Sequence, residues 1–453
     1  MKLLPTVPEL IVQSLSHEVL APLLSQAAAP CAISYPAVAA ARAAHLQQAV
    51  QSYGLAVRFF GAHKATNSVE LLAATRTAGF GCDIASCGEL ASAQQAGFTA
   101  DEIIATGPKS TRLLAKLAQQ PGTTIVLDSY EELQRLAAID GAKNPVLLRM
   151  SRSMTNQPGV TKSSRFGMDE AAFTRSVEYL QQQTALHLRG VAFHLDSQSV
   201  DERRYAVGVG ITQLLALQAK GFDADVLDIG GGFGSDYGVP KAVAQQFMQR
   251  LLEDTMSQQR QATWQGQNYG LVLQQGVVQN SLRGIDMPSG SSGAARLQEV
   301  LDSPHEDGTI ADALRDNLIE LWCEPGSSLY FDAGVVAAEV IETHNRDGQW
   351  CVVVDIHRNQ LCFADVEAPV DPLLYGSATK SAQGSYLLLS NVCHESDILH
   401  QRFIELPFHP QPGDVLVWTH TGAYRAYFSA SRAIGHPLAA QFTYHDGEFY
   451  AVQ

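Results

Sequence analysis

Cysteine is sparse in this 453-residue sequence, and its seven copies form no pattern. They stand at positions 31, 82, 87, 323, 351, 362 and 393, an odd number with no CxxC pair. A disulfide framework or a cysteine-built metal site is not expected; reduced thiols in a cytoplasm are. Long hydrophobic runs are also missing. No stretch approaches 18 apolar residues, so no bilayer-spanning helix is expected. The opening MKLLPTVPELIVQ lacks the apolar stretch of a signal peptide. Basic charge is short: 31 Lys and Arg face 46 Asp and Glu, a net charge of −15. That excess disfavours nucleic acid and anionic membranes as partners. Charged residues reach only 17% against 46% hydrophobic, which excludes a disordered chain.

Short apolar runs alternate with amphipathic segments from about residue 55. The runs are Leu55–Phe60, Cys82–Ala85, Ile103–Thr106, Thr124–Asp128, Val146–Met150, Gly190–His194, Val226–Ile229 and Leu321–Glu324. Between them, Glu70–Ala78, Gly88–Ala96 and Tyr130–Ala138 carry apolar residues at helical spacing. Eight strands at the repeat length of βαβ units predict an α/β fold, a (β/α)₈ TIM-like barrel. An open doubly wound sheet is the competing arrangement, but it rarely needs eight even repeats. The spacing breaks before the eighth strand. That gap is read as one helix, Ala242–Arg260, then an insertion near 262–315 containing the polar Met287–Gly293.

After residue 330 the pattern becomes strand-like with Gly, Pro, Asn and Asp punctuation. The expected strands are Val335–Ile341, Trp350–Ile356, Gln360–Ala364, Ser385–Leu389, Phe403–Leu406, Asp414–Trp418 and Ala440–Tyr444. The expected organisation is a barrel over 36–330 and a mostly-β domain, sandwich- or barrel-like, over 331–453. The 1–35 segment is expected to join the β domain.

Barrel chemistry sits where strands end and loops begin. Lys64 follows the first strand, Asp83 lies in the second, Arg149 ends the fifth and His194 the sixth. A Gly-rich turn, Gly230–Gly234, follows the seventh strand, and Glu324 ends the eighth. Singly, each has a bland reading: a solvated lysine, a structural histidine, a tight turn, a loop entrance. Jointly they meet the needs of one cofactor. Lysine can hold an aldehyde, glycine-turn amides a phosphate, and a carboxylate a protonated pyridine nitrogen, while an imidazole stacks on the ring. That cofactor is pyridoxal 5′-phosphate. Asp128, Arg165 and Asp355 are read as structural salt-bridge candidates.

With these residues in place, the chain resembles the alanine-racemase-fold, pyridoxal-phosphate-dependent decarboxylases, the group that includes diaminopimelate, ornithine and arginine decarboxylases. The resemblance runs from about residue 30 to 427. It rests on seven ordered motifs: FGAHKAT around Lys64, GCDIASCGEL (Gly81–Leu90), FHLDSQ (Phe193–Gln198), LDIGGGFG (Leu227–Gly234), CEPGSSL (Cys323–Leu329), NVCHESD (Asn391–Asp397) and GAY (Gly422–Tyr424). It implies that Lys64 carries the cofactor as an internal aldimine and that His194 stacks on the ring. Ser197, Gly230, Gly231, Gly232 and Tyr424 would hold the phosphate, Asp83 and Arg149 would support the lysine and ring, and Glu324 would pair with the ring nitrogen. It further implies a head-to-tail homodimer in which Cys393 reaches the neighbouring subunit's site and returns a proton to the substrate carbon.

A protonated ring is a strong electron sink, so Glu324 favours decarboxylation over racemisation. A racemase or epimerase on the same fold, and a catalytically silent relative, are the alternatives. Cys393 beside a histidine also suits a hydrolase nucleophile, but no oxyanion motif accompanies it. Two departures stand out. The family's EPGR reads EPGS, leaving Ser327 where an arginine is expected, with Arg425 as a candidate compensation. His394 replaces the acidic residue that grips the substrate's far end, with Asp397 kept in register; a one-residue shift would give Glu395 that role. An imidazole there predicts an amino-acid substrate whose far end is neutral or anionic.

Overall fold

A computed structural model describes residues 2–452 except 183–184, 196, 258–262, 280–284, 286–289, 363–365, 377–382, 427 and 429. The chain forms two compact units. One comprises residues 39–235 and 290–329; the other comprises 1–38, 236–289 and 330–453.

The first unit is a closed barrel of eight parallel strands. After a short strand β1 (Cys31–Ser34) in the other unit, the barrel strands are β2 (Val57–Ala62), β3 (Gly81–Ile84), β4 (Ile103–Ala105) and β5 (Thr124–Leu127). They continue with β6 (Pro145–Arg149), β7 (His187–Ala192), β8 (Val226–Asp228) and β9 (Glu320–Cys323). Each expected run forms a strand, within one to three residues at its ends. Strand β9 pairs with both β8 and β2, which closes the ring. Strands buried on both faces read as continuous apolar runs rather than as alternation. Phe60, Val126, Leu147 and Trp322 fill the interior.

The helices after β2, β3 and β5 span Val69–Thr77, Cys87–Gln95 and Tyr130–Ala137. Each opens on a serine that accepts a backbone N–H: Ser68 from Leu71, Ser86 from Glu89, Ser129 from Glu132. These caps satisfy donors that the first helical turn leaves open.

The second unit holds a nine-stranded sheet. Its further strands are β10 (Gly334–Arg346), β11 (Gln349–Val354), β12 (Leu373–Tyr375), β13 (Gly384–Leu389), β14 (Ile404–Leu406), β15 (Val415–Trp418), β16 (Ala440–His445) and β17 (Glu448–Ala451). The order β14-β13-β11-β10-β1-β16-β17 is the main path, with β15 between β10 and β12 off it. Strand β1 pairs antiparallel with β10 and parallel with β16.

The helix expected over Ala242–Arg260 runs Lys241–Ser257 and packs in this unit; 258–260 and 287–289 lie outside the described residues. One expected strand fails. Arg358–Leu361 is a 3-10 turn, and Cys362 follows with a φ of 52°, which ends extended backbone. The Gln360 side chain is drawn inward to bond the Pro437 carbonyl. Residues 363–364 of that expected strand lie outside the described ones. No helix among the described residues is long and apolar enough to cross a membrane.

Candidate active site

Strand β2 delivers Lys64 into a one-turn 3-10 helix, His63–Ala65. Its side chain is 42% exposed, and its Nζ lies 4.0 Å from Asp83 Oδ2. Asp83 is buried on the neighbouring β3 and is held by the Thr106 hydroxyl, which donates to Oδ1 at 2.6 Å. One carboxylate oxygen thus stays turned to the amine. Arg149, at the end of β6, is clamped rather than loose. It pairs with Asp128 at 3.2 Å and lies over the Phe166 ring, 4.7 Å from its centroid. Arg165 stacks on the other contact of that ring at 4.4 Å.

The glycine turn leaves β8 through Asp228, whose Oδ1 accepts the Gly230 amide at 2.8 Å. Gly230 has a φ of +65°, a left-handed conformation that favours glycine. A Cβ on Gly231 would sit 2.4 Å from the Glu324 carbonyl, so a side chain there would drive the turn off β9. The Gly231 amide donates to His194 Nδ1 at 3.3 Å, which leaves the ring proton on Nε2. Burial, helped by Lys64, Arg149 and Arg203, pulls the His194 pKa down to about 3. The imidazole is therefore neutral at physiological pH.

Glu324 and Asp228 are both buried, at 7% and 0% exposed, and act on each other electrostatically. Burial, then the Asp228 and Asp83 charges, push the Glu324 carboxyl well above the usual range. Burial raises Asp228 to about 6, against the pull of Glu324 and of the Gly230 amide. Glu324 is thus the proton holder of the pair. Ser197 lies just ahead of the Val200–Ala219 helix, its Oγ accepting the Ser199 amide at 3.2 Å. Ser327 Oγ is hydrogen-bonded to Ser235 Oγ, immediately after the glycine turn.

The barrel unit therefore gathers Lys64, Asp83, Arg149, His194, Ser197, the glycines and Glu324. Cys393, His394, Asp397 and Tyr424 belong to the other unit. There, Cys393, His394, Glu395 and Asp397 line a cavity of about 550 Å³. Cys393 is an exposed free thiol. His394 Nδ1 takes the Ser396 hydroxyl at 2.9 Å, and Asp397 Oδ1 takes the Arg358 amide at 3.1 Å. Asp355 accepts a hydrogen bond from Asn391 at 2.7 Å. Tyr424 has a φ of 62° and packs edge-on to Phe428. Arg425 donates to the Val366 carbonyl.

Two residues of the site escaped the reading of the sequence. Asp228 carried a signal, a lone carboxylate inside an apolar strand. Arg203 carried none, since it sits in a helical DERR run that reads as a solvated face.

The donor set fits pyridoxal 5′-phosphate. An amine stands ready for the aldehyde. Three acidic groups, Asp83, Asp228 and Glu324, suit a cationic ring nitrogen. A turn that a Cβ would fill offers the amides of Gly232, Phe233 and Gly234, which donate to no group among the described residues.

Comparison with known proteins agrees. Residues 40–264 match the family described as pyridoxal-dependent decarboxylase, pyridoxal binding domain. Diaminopimelate decarboxylase of Bacillus subtilis is 25% identical over 443 residues, covering 91% of this chain and 85% of that one. An L-glutamyl-[BtrI acyl-carrier protein] decarboxylase of Niallia circulans is 28% identical over 208 residues, 43% of this chain and 48% of that relative. Diaminopimelate decarboxylase of Helicobacter pylori, solved with L-lysine, shares the fold with a TM-score of 0.70 at 18% identity, covering 95% of each chain. The chain belongs to the alanine-racemase-fold family of pyridoxal-phosphate-dependent decarboxylases, and pyridoxal 5′-phosphate is its cofactor.

Proposed function

We propose that the chain removes the α-carboxyl group of an amino acid whose far end is neutral or anionic. The observation that carries the decarboxylase reading is the buried Glu324–Asp228 pair at the ends of adjacent barrel strands, in the same mouth as Lys64. When bound, the cofactor supplies a ring that accepts the electron pair left behind as CO₂ departs. Lys64 holds the cofactor aldehyde, and Asp83 sets a carboxyl oxygen beside its amine. Glu324 would pair with the ring nitrogen, whose positive charge offsets the cost of ionising a carboxyl that burial otherwise keeps protonated. Neutral His194 offers a flat face without adding a competing cation. Ser197 and the glycine turn hold the phosphate. The turn does so through the amides of Gly232, Phe233 and Gly234, because those of Gly230 and Gly231 are taken by Asp228 and His194. Tyr424 is the further phosphate ligand in this reading, and Arg149 braces the ring side through Asp128.

In this reading the chain works as a cytoplasmic head-to-tail homodimer. Cys393 of one protomer gives its thiol proton to the substrate carbon in the other's site, and His394 with Asp397 faces the substrate's far end. The relative that decarboxylates a glutamyl group on a carrier protein supports a far end without a free ammonium. CO₂ release from a panel of L- and D-amino acids with acidic, neutral and basic tails tests this. Preference for acidic or neutral tails is expected. Efficient turnover of ornithine, lysine or arginine would contradict the substrate class. Racemisation as fast as CO₂ release would contradict the reaction.

A further inference from the structure

Arg203 projects from the first turn of the Val200–Ala219 helix and is 1% exposed. Its guanidinium donates to three carbonyls: Ile229 at 3.0 Å, Gly232 at 3.3 Å and Ser197 at 3.4 Å. The Phe233 ring lies against it, 5.1 Å from centroid to guanidinium carbon. All three carbonyls belong to the segments expected to hold a phosphate. Arg203 makes no ion pair with any described carboxylate. Three other cations of this unit are paired with carboxylates, Lys109 with Glu132, Arg149 with Asp128 and Arg152 with Glu202, while the buried Arg296 bonds the Ser291 carbonyl. Burial lowers the Arg203 pKa only to about 10, so it stays charged.

An uncompensated buried charge is strongly unfavourable unless a counter-charge arrives. Here the turn's carbonyls are engaged by the guanidinium, while the amides of Gly232, Phe233 and Gly234 have no acceptor among the described residues. Where the resemblance leads one to expect an arginine, Ser327 meets Ser235, and two neutral hydroxyls occupy the place.

We propose that Arg203 is the cation of the phosphate subsite, positioning the Ser197 and glycine turns through their carbonyls and balancing the phosphate charge in place of the arginine that Ser327 replaces. The inference rests on the pyridoxal 5′-phosphate reading of the barrel site. Arg203 acts through the turn and is a positioning residue.

The test uses the full-length chain stripped of cofactor and titrated by absorbance with pyridoxal 5′-phosphate and, separately, with pyridoxal. The two ligands share ring and aldehyde and differ in the phosphate. Arg203→Met should raise the Kd for pyridoxal 5′-phosphate by roughly tenfold or more, the scale of one lost charge-assisted contact. The Kd for pyridoxal should stay within about threefold, as expected for a ligand without the charged group. Arg203→Lys should recover most of the loss. If the methionine variant does not fold, Arg203→Gln keeps donors for the carbonyls without the charge and carries the same test. Parallel weakening of both ligands, or no change in either, overturns the role of Arg203. A wild-type chain that binds neither ligand refutes the cofactor reading itself, a different result from normal wild-type binding with unaffected variants.

Discussion

Each unit buries a cluster of carboxylates, and the two clusters are finished differently. In the β unit, Glu367 and Asp371 are met from every side. Arg402 bonds both, His400 Nδ1 donates to Glu367 at 2.7 Å, and the Tyr269 hydroxyl donates at 2.9 Å. The Trp418 indole donates to His400 Nε2 at 2.9 Å, which assigns the ring proton to Nδ1. Burial works against the Glu367 charge, yet His400 and Arg402 hold its pKa below the ordinary value. Burial likewise opposes the Arg402 charge, and Asp371 and Glu367 push its pKa upward instead. In the barrel, Asp83 lies beside the half-exposed Lys64 amine, and Asp228 and Glu324, which form no ion pair among the described residues, have raised pKa values. A closed cluster serves the fold. An open one stores a charge imbalance that a ligand can resolve, the pattern expected of a functional site.

The largest effect that would sharpen this contrast is at Lys64. Lys64→Ala should lower CO₂ release by about 10³-fold or more, the scale of deleting a covalent catalytic group. Stability should barely move, and a thermal melt of the cofactor-free chain beside the CO₂ assay reads both. Next is the closed cluster. Glu367→Ala should destabilise the chain by about 3–5 kcal/mol, because it removes one of the two carboxylates that balance the buried Arg402 and leaves the Arg402 Nε, His400 and Tyr269 donors without their acceptor. A urea titration showing less than about 1 kcal/mol would erase the distinction between the clusters.

The open cluster should respond in the opposite direction. The folded Asp228 pKa, about 6, lies above the ordinary aspartate value of 3.8. Its contribution is therefore fully present below about pH 4 and is lost as pH rises through 6. Asp228→Asn should stabilise the cofactor-free chain at pH 8 by up to about 3 kcal/mol, with the gain vanishing toward pH 4. Denaturation at the two pH values checks it, and a variant destabilised equally at both would break the comparison.

Legibility in the sequence followed the same division. The barrel strands were readable because parallel strands buried on both faces are unbroken apolar runs, such as Thr124–Leu127 and Val146–Leu148. Strand β1, four residues long, carries no periodicity that separates it from a loop. Gln360–Ala364 looked like a strand because Leu361 is apolar and buried, yet burial there comes from a 3-10 turn. Lys64, His194 and Glu324 were legible because they end strands. Arg203 was not, because its burial depends on a glycine turn 26 residues away in sequence that accepts its hydrogen bonds.

The smallest predicted effect concerns the far end of the substrate. His394→Asp should shift relative kcat/KM toward amino acids with a distal ammonium by roughly tenfold, the worth of one charged hydrogen bond. An unchanged tail preference across the panel would remove His394 from substrate selection.

The most direct test of the open cluster as a cofactor site is borohydride reduction of the purified, cofactor-loaded chain followed by peptide mapping. The account predicts a visible absorption band that bleaches on reduction and a pyridoxyl label on Lys64. A label on another lysine such as the buried Lys109, or a chain that stays colourless with added pyridoxal 5′-phosphate, would contradict it.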